Sequence, residues 1–137
     1  MRMIAFLLTA FLVTCAPVPV TSTPPPADWH ASVVTLAAER LDADRVRLIL
    51  QNGYSGAVGY NLCTSGLQKR NGSAWDQVET GDICTMELRS LPPGQDATFE
   101  KRLPETLPSG EYRYSTSVEI PMGNAQVRVA TSAFAVK

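Results

Sequence analysis

Histidine is nearly missing from this sequence: His30 is the single one in 137 residues. A catalytic serine or cysteine needs a base fixed beside it. His30 sits in Ala27-Asp28-Trp29-His30, at the edge of a proline-rich stretch, where nothing would fix a base to within a fraction of an ångström. Asp28 and His30 with a methionine make a poor soft-metal set, and His30 reads as a solvated residue near the start of the first strand. Excess charge of one sign is also lacking. Twelve Lys and Arg against thirteen Asp and Glu give a net −1, and no basic run is interleaved with aromatics, so nucleic acid is not an expected partner. There is no glycine-rich phosphate cradle and no strand–turn–helix nucleophile motif. Asp42, Asp44, Asp76, Glu79 and Asp82 fall in or near loops, but without the spacing of a calcium loop. No cofactor and no metal are expected, and the chain is not expected to be an enzyme. No convincing helical periodicity appears, and ten prolines with nine glycines point to short elements and many turns.

Long apolar runs are absent as well. The longest, Met3 to Val13, has eleven residues, against the roughly 20 a bilayer-spanning helix needs. It follows a single Arg and is followed by small residues, the pattern of an export signal. The run ends in Leu12-Val13-Thr14-Cys15, which resembles the lipobox of bacterial lipoproteins, with Thr14 where Gly, Ala or Ser is usual. The resemblance implies a signal peptide over 1–14, lipidation of Cys15 and attachment to a membrane through that lipid. Ala16 after the cysteine favours the outer membrane in a cell that has two. A secreted protein is the alternative. Residues 15–30, with "APVPVTSTPPPADWH", read as a Pro-rich flexible tether; as polyproline II, Cys15 to Ala27 would span about 35–40 Å.

Cysteine is scarce too: Cys15, Cys63 and Cys84. An odd thiol in an oxidising compartment needs a use. Acylating Cys15 leaves Cys63 and Cys84 as a pair. Metal ligation by that pair is the alternative, disfavoured by the wide spacing and the lack of histidine.

From Ala31 onward the period is near two. "DRVRLILQN" puts Val46, Leu48 and Leu50 on one face and Arg45, Arg47 and Ile49 on the other. "AVGYNLC" alternates through Val58, Tyr60 and Leu62. "LQKRNGSAWDQV" predicts a hairpin bending at Asn71-Gly72. "ICTMELRS" predicts a strand with Cys84, Met86 and Leu88 on one face, "DATFEKRL" an amphipathic strand through Ala97, Phe99 and Lys101. "EYRYSTSVEI" and "AQVRVATSAFAV" predict the two longest strands. Seven or eight strands with turn signals every 8 to 12 residues argue for an all-β, two-sheet antiparallel sandwich over 31–137.

"VTLAAERL…DRVRLILQN", "LPPGQDATFEKRL", "LPSGEYRY" and "ATSAFAVK" together resemble the bacterial immunoglobulin-like domains of envelope lipoproteins. There a proline-glycine turn precedes strand E and an L-x-x-G-x-Y-R run opens strand F. The resemblance implies an immunoglobulin-like sandwich and makes Tyr112 its corner tyrosine, whose hydroxyl bonds nearby backbone. The chain departs from antibody domains in its cysteines, since neither strand B nor strand F carries one. A Cys63–Cys84 bridge would instead close a loop near the hairpin.

With no framework for chemistry, surface recognition remains. The loop after the second strand and the loop between the last two should lie at one end of the sandwich. Tyr54, Met122 and Asn124 on those loops form a candidate contact patch, and Trp75 past the hairpin bend is a further candidate. The leading expectation is a non-enzymatic, lipid-anchored envelope protein acting as a binding or structural module, with a protein partner in the envelope. A protease inhibitor presenting sandwich loops and a metal-binding envelope protein are the alternatives.

Overall fold

The alternation in Arg45–Asn52 is the organising element of the fold. Val46, Leu48, Leu50 and Asn52 are buried, while Arg45, Arg47, Ile49 and Gln51 turn away. The computed structural model describes residues 33–137; the leader, Cys15, the tether and His30 lie outside the described residues. This strand, β2 (Arg45–Asn52), pairs antiparallel with β1 (Val34–Arg40) on one side and β7 (Asp96–Arg102) on the other, giving a three-stranded sheet. On its outer face Arg47 lies between Glu39 and Glu100, at 3.4 and 3.2 Å, because the register places all three side by side.

The second sheet is built on β8 (Gly110–Glu119). Its even-numbered side chains Tyr112, Tyr114, Thr116 and Val118 are buried. One edge of β8 carries β3 (Val58–Tyr60) and β4 (Gly66–Asn71), the other β9 (Gln126–Ala130) and β10 (Phe134–Val136). Outside these, β5 (Ala74–Val78) pairs with β4, and β6 (Arg89–Leu91) with β3. The inner faces of both sheets meet in one core that includes Leu36, Leu48, Leu50, Val58, Leu67, Tyr112, Tyr114 and Val118. The chain is thus an all-β sandwich of two antiparallel sheets. Among the described residues no helix is long and apolar enough to cross a membrane.

Two predicted strands are interrupted. Tyr60 faces Val118 and Gly66 faces Ser115, so six residues of one strand cover three of β8. The surplus is taken up by a single 3-10 turn, Leu62–Thr64, capped by Asn61, whose Oδ1 accepts from the Cys63 amide. The last strand breaks at Thr131, where three residues oppose two. Thr131 fills the gap: its amide donates to the Tyr114 carbonyl at 2.9 Å and its Oγ1 accepts from the Tyr114 amide at 3.1 Å. The hairpin bends one residue later than expected. Asn71 pairs with Ala74, leaving Gly72-Ser73 as the loop, and Gly72 takes φ 62°, open to glycine at no steric cost.

The largest departure is over "ICTMELRS". Only Arg89–Leu91 is strand; Ile83 to Leu88 has no strand partner. The period-two pattern is present, but of the set it would bury Met86 faces solvent and Leu88 is only partly covered, because Cys84 is tied to the turn at Cys63 and not to a neighbouring strand.

Candidate functional site

Three anchors on one short stretch, Tyr60, Asn61 and Cys63, hold the segment from Cys84 to Arg89. Cys63 is disulfide-bonded to Cys84, with Cα atoms 5.7 Å apart. Asn61 uses both ends of its amide: Oδ1 holds the 3-10 turn, and Nδ2 donates to the Thr85 carbonyl at 2.7 Å. Tyr60 pairs with Arg89 in the β3–β6 ladder. Next to that pair, Leu88 lies over Gly59, where an added Cβ would come within 3.0 Å of Leu88 Cδ2. The stretch between these anchors runs without turn or bend. At its centre Met86 is 91 % exposed, and Ile83 just before Cys84 is 98 % exposed.

A fourth tie enters from the other sheet. Lys101, on the inward face of β7, is buried, and its Nζ donates to the Cys63 carbonyl and to Asp82 Oδ2, both at 2.7 Å. Burial pushes the Asp82 carboxyl up, but the Lys101 ammonium and the Thr80 hydroxyl outweigh it and hold the group below the ordinary carboxylate value. Burial, with the Asp82 charge added, pushes the Tyr114 phenol up. An open groove lined by Cys63, Ser65, Gln77, Asp82 and Cys84 runs alongside. The amphipathic reading of β7 placed Lys101 with Ala97 and Phe99. It did not foresee that this cation would be wholly enclosed.

The loop residues singled out from sequence lie elsewhere. Tyr54 and Met122 are on loops joined by a hydrogen bond from the Met122 amide to the Ala57 carbonyl, 2.9 Å. Tyr54 is half-buried and packs against the core, Met122 is 40 % exposed, and Asn124 is exposed. The organiser of that end is Asn52, which is buried. Its Nδ2 donates to the carbonyls of Gly56 and Leu91, each at 2.9 Å, and its Oδ1 accepts from the Tyr54 amide. Trp75 is half-buried on the outer face of the hairpin, with the guanidinium groups of Arg113 and Arg70 at 4.2 and 5.0 Å from its ring. Such stacking explains its position by cation–π attraction within the sheet. Tyr112 donates its hydroxyl to the Pro108 carbonyl at 2.6 Å, the backbone bond expected of a corner tyrosine.

Sequence reasoning therefore placed the loops but missed the most exposed apolar side chains. Their signal was Cys84: a disulfide half-cystine within an alternating run can hold that run to a turn instead of a sheet. Among the described residues no three His, Cys, Asp or Glu side chains gather where they could hold a metal.

No protein-family model matches the chain, and no curated protein does. Among solved structures, the archaellum periplasmic stator protein FlaG from Sulfolobus acidocaldarius is similar, with 17% identity over 71% of this chain and 98% of that one and a TM-score of 0.42. At that distance the function has to be argued from this chain's own residues.

Proposed function

We propose that the chain is a lipid-anchored envelope protein whose immunoglobulin-like sandwich binds a protein partner through the segment from Ile83 to Leu88. The observation that carries this reading is the exposure of Ile83 and Met86 on backbone that is tied down at Cys84, Thr85 and Arg89. Large apolar side chains held out in water cost free energy that a free loop would recover by folding them inward. Bracing them outward keeps the segment in its binding conformation and lowers the ordering cost of association. The strand order supports the immunoglobulin-like assignment: β1-β2-β7 faces a sheet in which β8 lies between β3–β4 and β9–β10, the arrangement of strands A-B-E against C-F-G. The Leu12–Cys15 motif supports the anchor.

The test uses a photo-crosslinking residue in place of Glu87 in cells. It should capture a discrete partner, and Ile83→Ser/Met86→Ser should abolish the capture without altering the melting temperature. In the same cells Cys15→Ser should move the protein from the membrane to the soluble fraction. Undiminished capture by the double variant would refute the site, and retention at the membrane would refute the anchor.

A further inference from the structure

The pinned segment has a property that a general contact patch does not need. Its anchors fall on both sides of one peptide bond, Met86–Glu87. On the amino side, Thr85 is held through its carbonyl by Asn61, and Cys84 is held covalently. On the carboxyl side, Leu88 rests over Gly59 and Arg89 is paired with Tyr60. Between them Met86 projects into solvent.

Serine proteases bind substrates as extended chains, with the side chain before the scissile bond in a primary pocket. A protruding, unbranched, apolar Met suits a pocket that is an apolar slot. Ile83 and Leu88 stand where secondary apolar contacts would form. We propose that Ile83–Arg89 is a substrate-like inhibitory segment for a serine protease of apolar primary specificity, presenting the Met86–Glu87 bond. The proposal rests on the binding reading above and names its partner class.

The pinning explains why such a segment would block the enzyme and not be consumed by it. Hydrolysis adds water across the bond, leaving a carboxylate on Met86 and an ammonium on Glu87. In an ordinary loop the new ends separate and gain about 1–2 kcal/mol of backbone entropy per freed residue. Here both ends remain attached to Tyr60–Cys63. Well-oriented groups held in this way react with effective molarities of about 10⁵–10⁸ M. The enzyme therefore re-forms the peptide bond, releasing the same water, about as readily as it cuts. Asn61 is a positioning residue in this scheme, since it orients the carbonyl just before Met86 and touches no reacting atom.

The experiment titrates the oxidised, full-length protein against chymotrypsin, subtilisin and trypsin. Stoichiometric inhibition of the first two is expected, with trypsin unaffected. Prolonged incubation should give a stable mixture of intact chain and chain cut at Met86–Glu87. Met86→Lys should transfer inhibition to trypsin and weaken it against chymotrypsin by about a hundredfold, the scale of losing a buried anchor. As a gain of function, that transfer cannot come from misfolding. Asn61→Ala, which loses one of the ties on the segment, should weaken inhibition and raise the rate of net cleavage at least tenfold. Rapid, complete cleavage of the native protein at Met86, or no inhibition by the native protein together with no inhibition of trypsin by Met86→Lys, would overturn the proposal. If crosslinking near Met86 captures a partner that is not a protease, the partner class fails and the binding reading stands. If neither capture nor inhibition occurs, both fail.

Discussion

Two tyrosines one turn of the pleat apart illustrate what a buried hydroxyl is worth at the scale of the residue. Tyr112 and Tyr114 are both fully buried on the inner face of β8, and both stack on Phe134, with ring centroids 6.5 and 6.1 Å away. The Tyr112 hydroxyl has the Pro108 carbonyl; the Tyr114 hydroxyl has no partner among the described residues. Removing a satisfied hydroxyl strands its acceptor, whereas removing an orphan relieves a desolvation cost. Tyr112→Phe should therefore cost about 1 kcal/mol, and Tyr114→Phe should be neutral or stabilising by up to about 1 kcal/mol. Urea unfolding with equal m-values checks both. If the two variants lose stability equally, the distinction is wrong. Tyr112 could be read from "LPSGEYRY" because the tyrosine corner is a local motif. The roles of Asn52 and Asn61 could not. Turn chemistry marks both residues, but which carbonyls an amide reaches across 39 and 24 residues depends on the assembled sheets.

At the scale of the element, alternation was a sound guide wherever one face met the core. It succeeded for β2, whose inward and outward sets match the pattern residue by residue. It failed at "ICTMELRS", since a pattern states which side chains share a face and not which face is buried. It also missed the break at Thr131, which depends on a one-residue surplus between two registers with β8. The tie of this irregular segment to β7 makes its own prediction. Asp82→Ala leaves the Lys101 ammonium buried with the Cys63 carbonyl and the Phe99 ring but no counter-charge, and should cost about 3 kcal/mol, the lower end for stranding a buried charge. Lys101→Met strands nothing comparable, since the Asp82 side chain is one-third exposed; it should cost about 1 kcal/mol. The pH dependence has a definite sign. Both Asp82 and Asp42, the latter held at about 2 chiefly by its hydrogen bond to Arg45, ionise more readily folded than unfolded. Their contribution is complete above the ordinary value of 3.8 and is lost as pH falls through the folded values, down to about 2 for Asp42. Chemical denaturation at pH 5, 4, 3 and 2 should show stability level at the first two and falling below them, with a shallower fall for Asp82→Asn. A stability that rises on acidification would contradict the pairing.

At the scale of the whole molecule, the question is how much of the sandwich depends on its one cross-link. Cys63 and Cys84 are separated by 21 positions, and the chain-entropy model gives a loop of that size about 3 kcal/mol. That is a large fraction of the 5–15 kcal/mol typical of a domain. Yet neither cysteine is among the core side chains, which both sheets supply, and the pairing of the strands does not pass through the bridge. The double variant Cys63→Ala/Cys84→Ala should therefore stay folded, with an unchanged β-type circular-dichroism spectrum, while its melting temperature falls by about 12–24 °C, from roughly 4–8 °C per kcal/mol in a domain near this size. The loss should also be local. The Thr64 and Ser65 amides of the 3-10 turn, which donate to the Asn61 and Leu62 carbonyls, should lose hydrogen-exchange protection in the variant, while those of β2 and β8 keep an order of protection set by the remaining global stability. Uniform loss across both sheets, or collapse of the circular-dichroism signal, would mean that the bridge organises the core, and the segment could not then be regarded as an attachment built onto an independently stable sandwich.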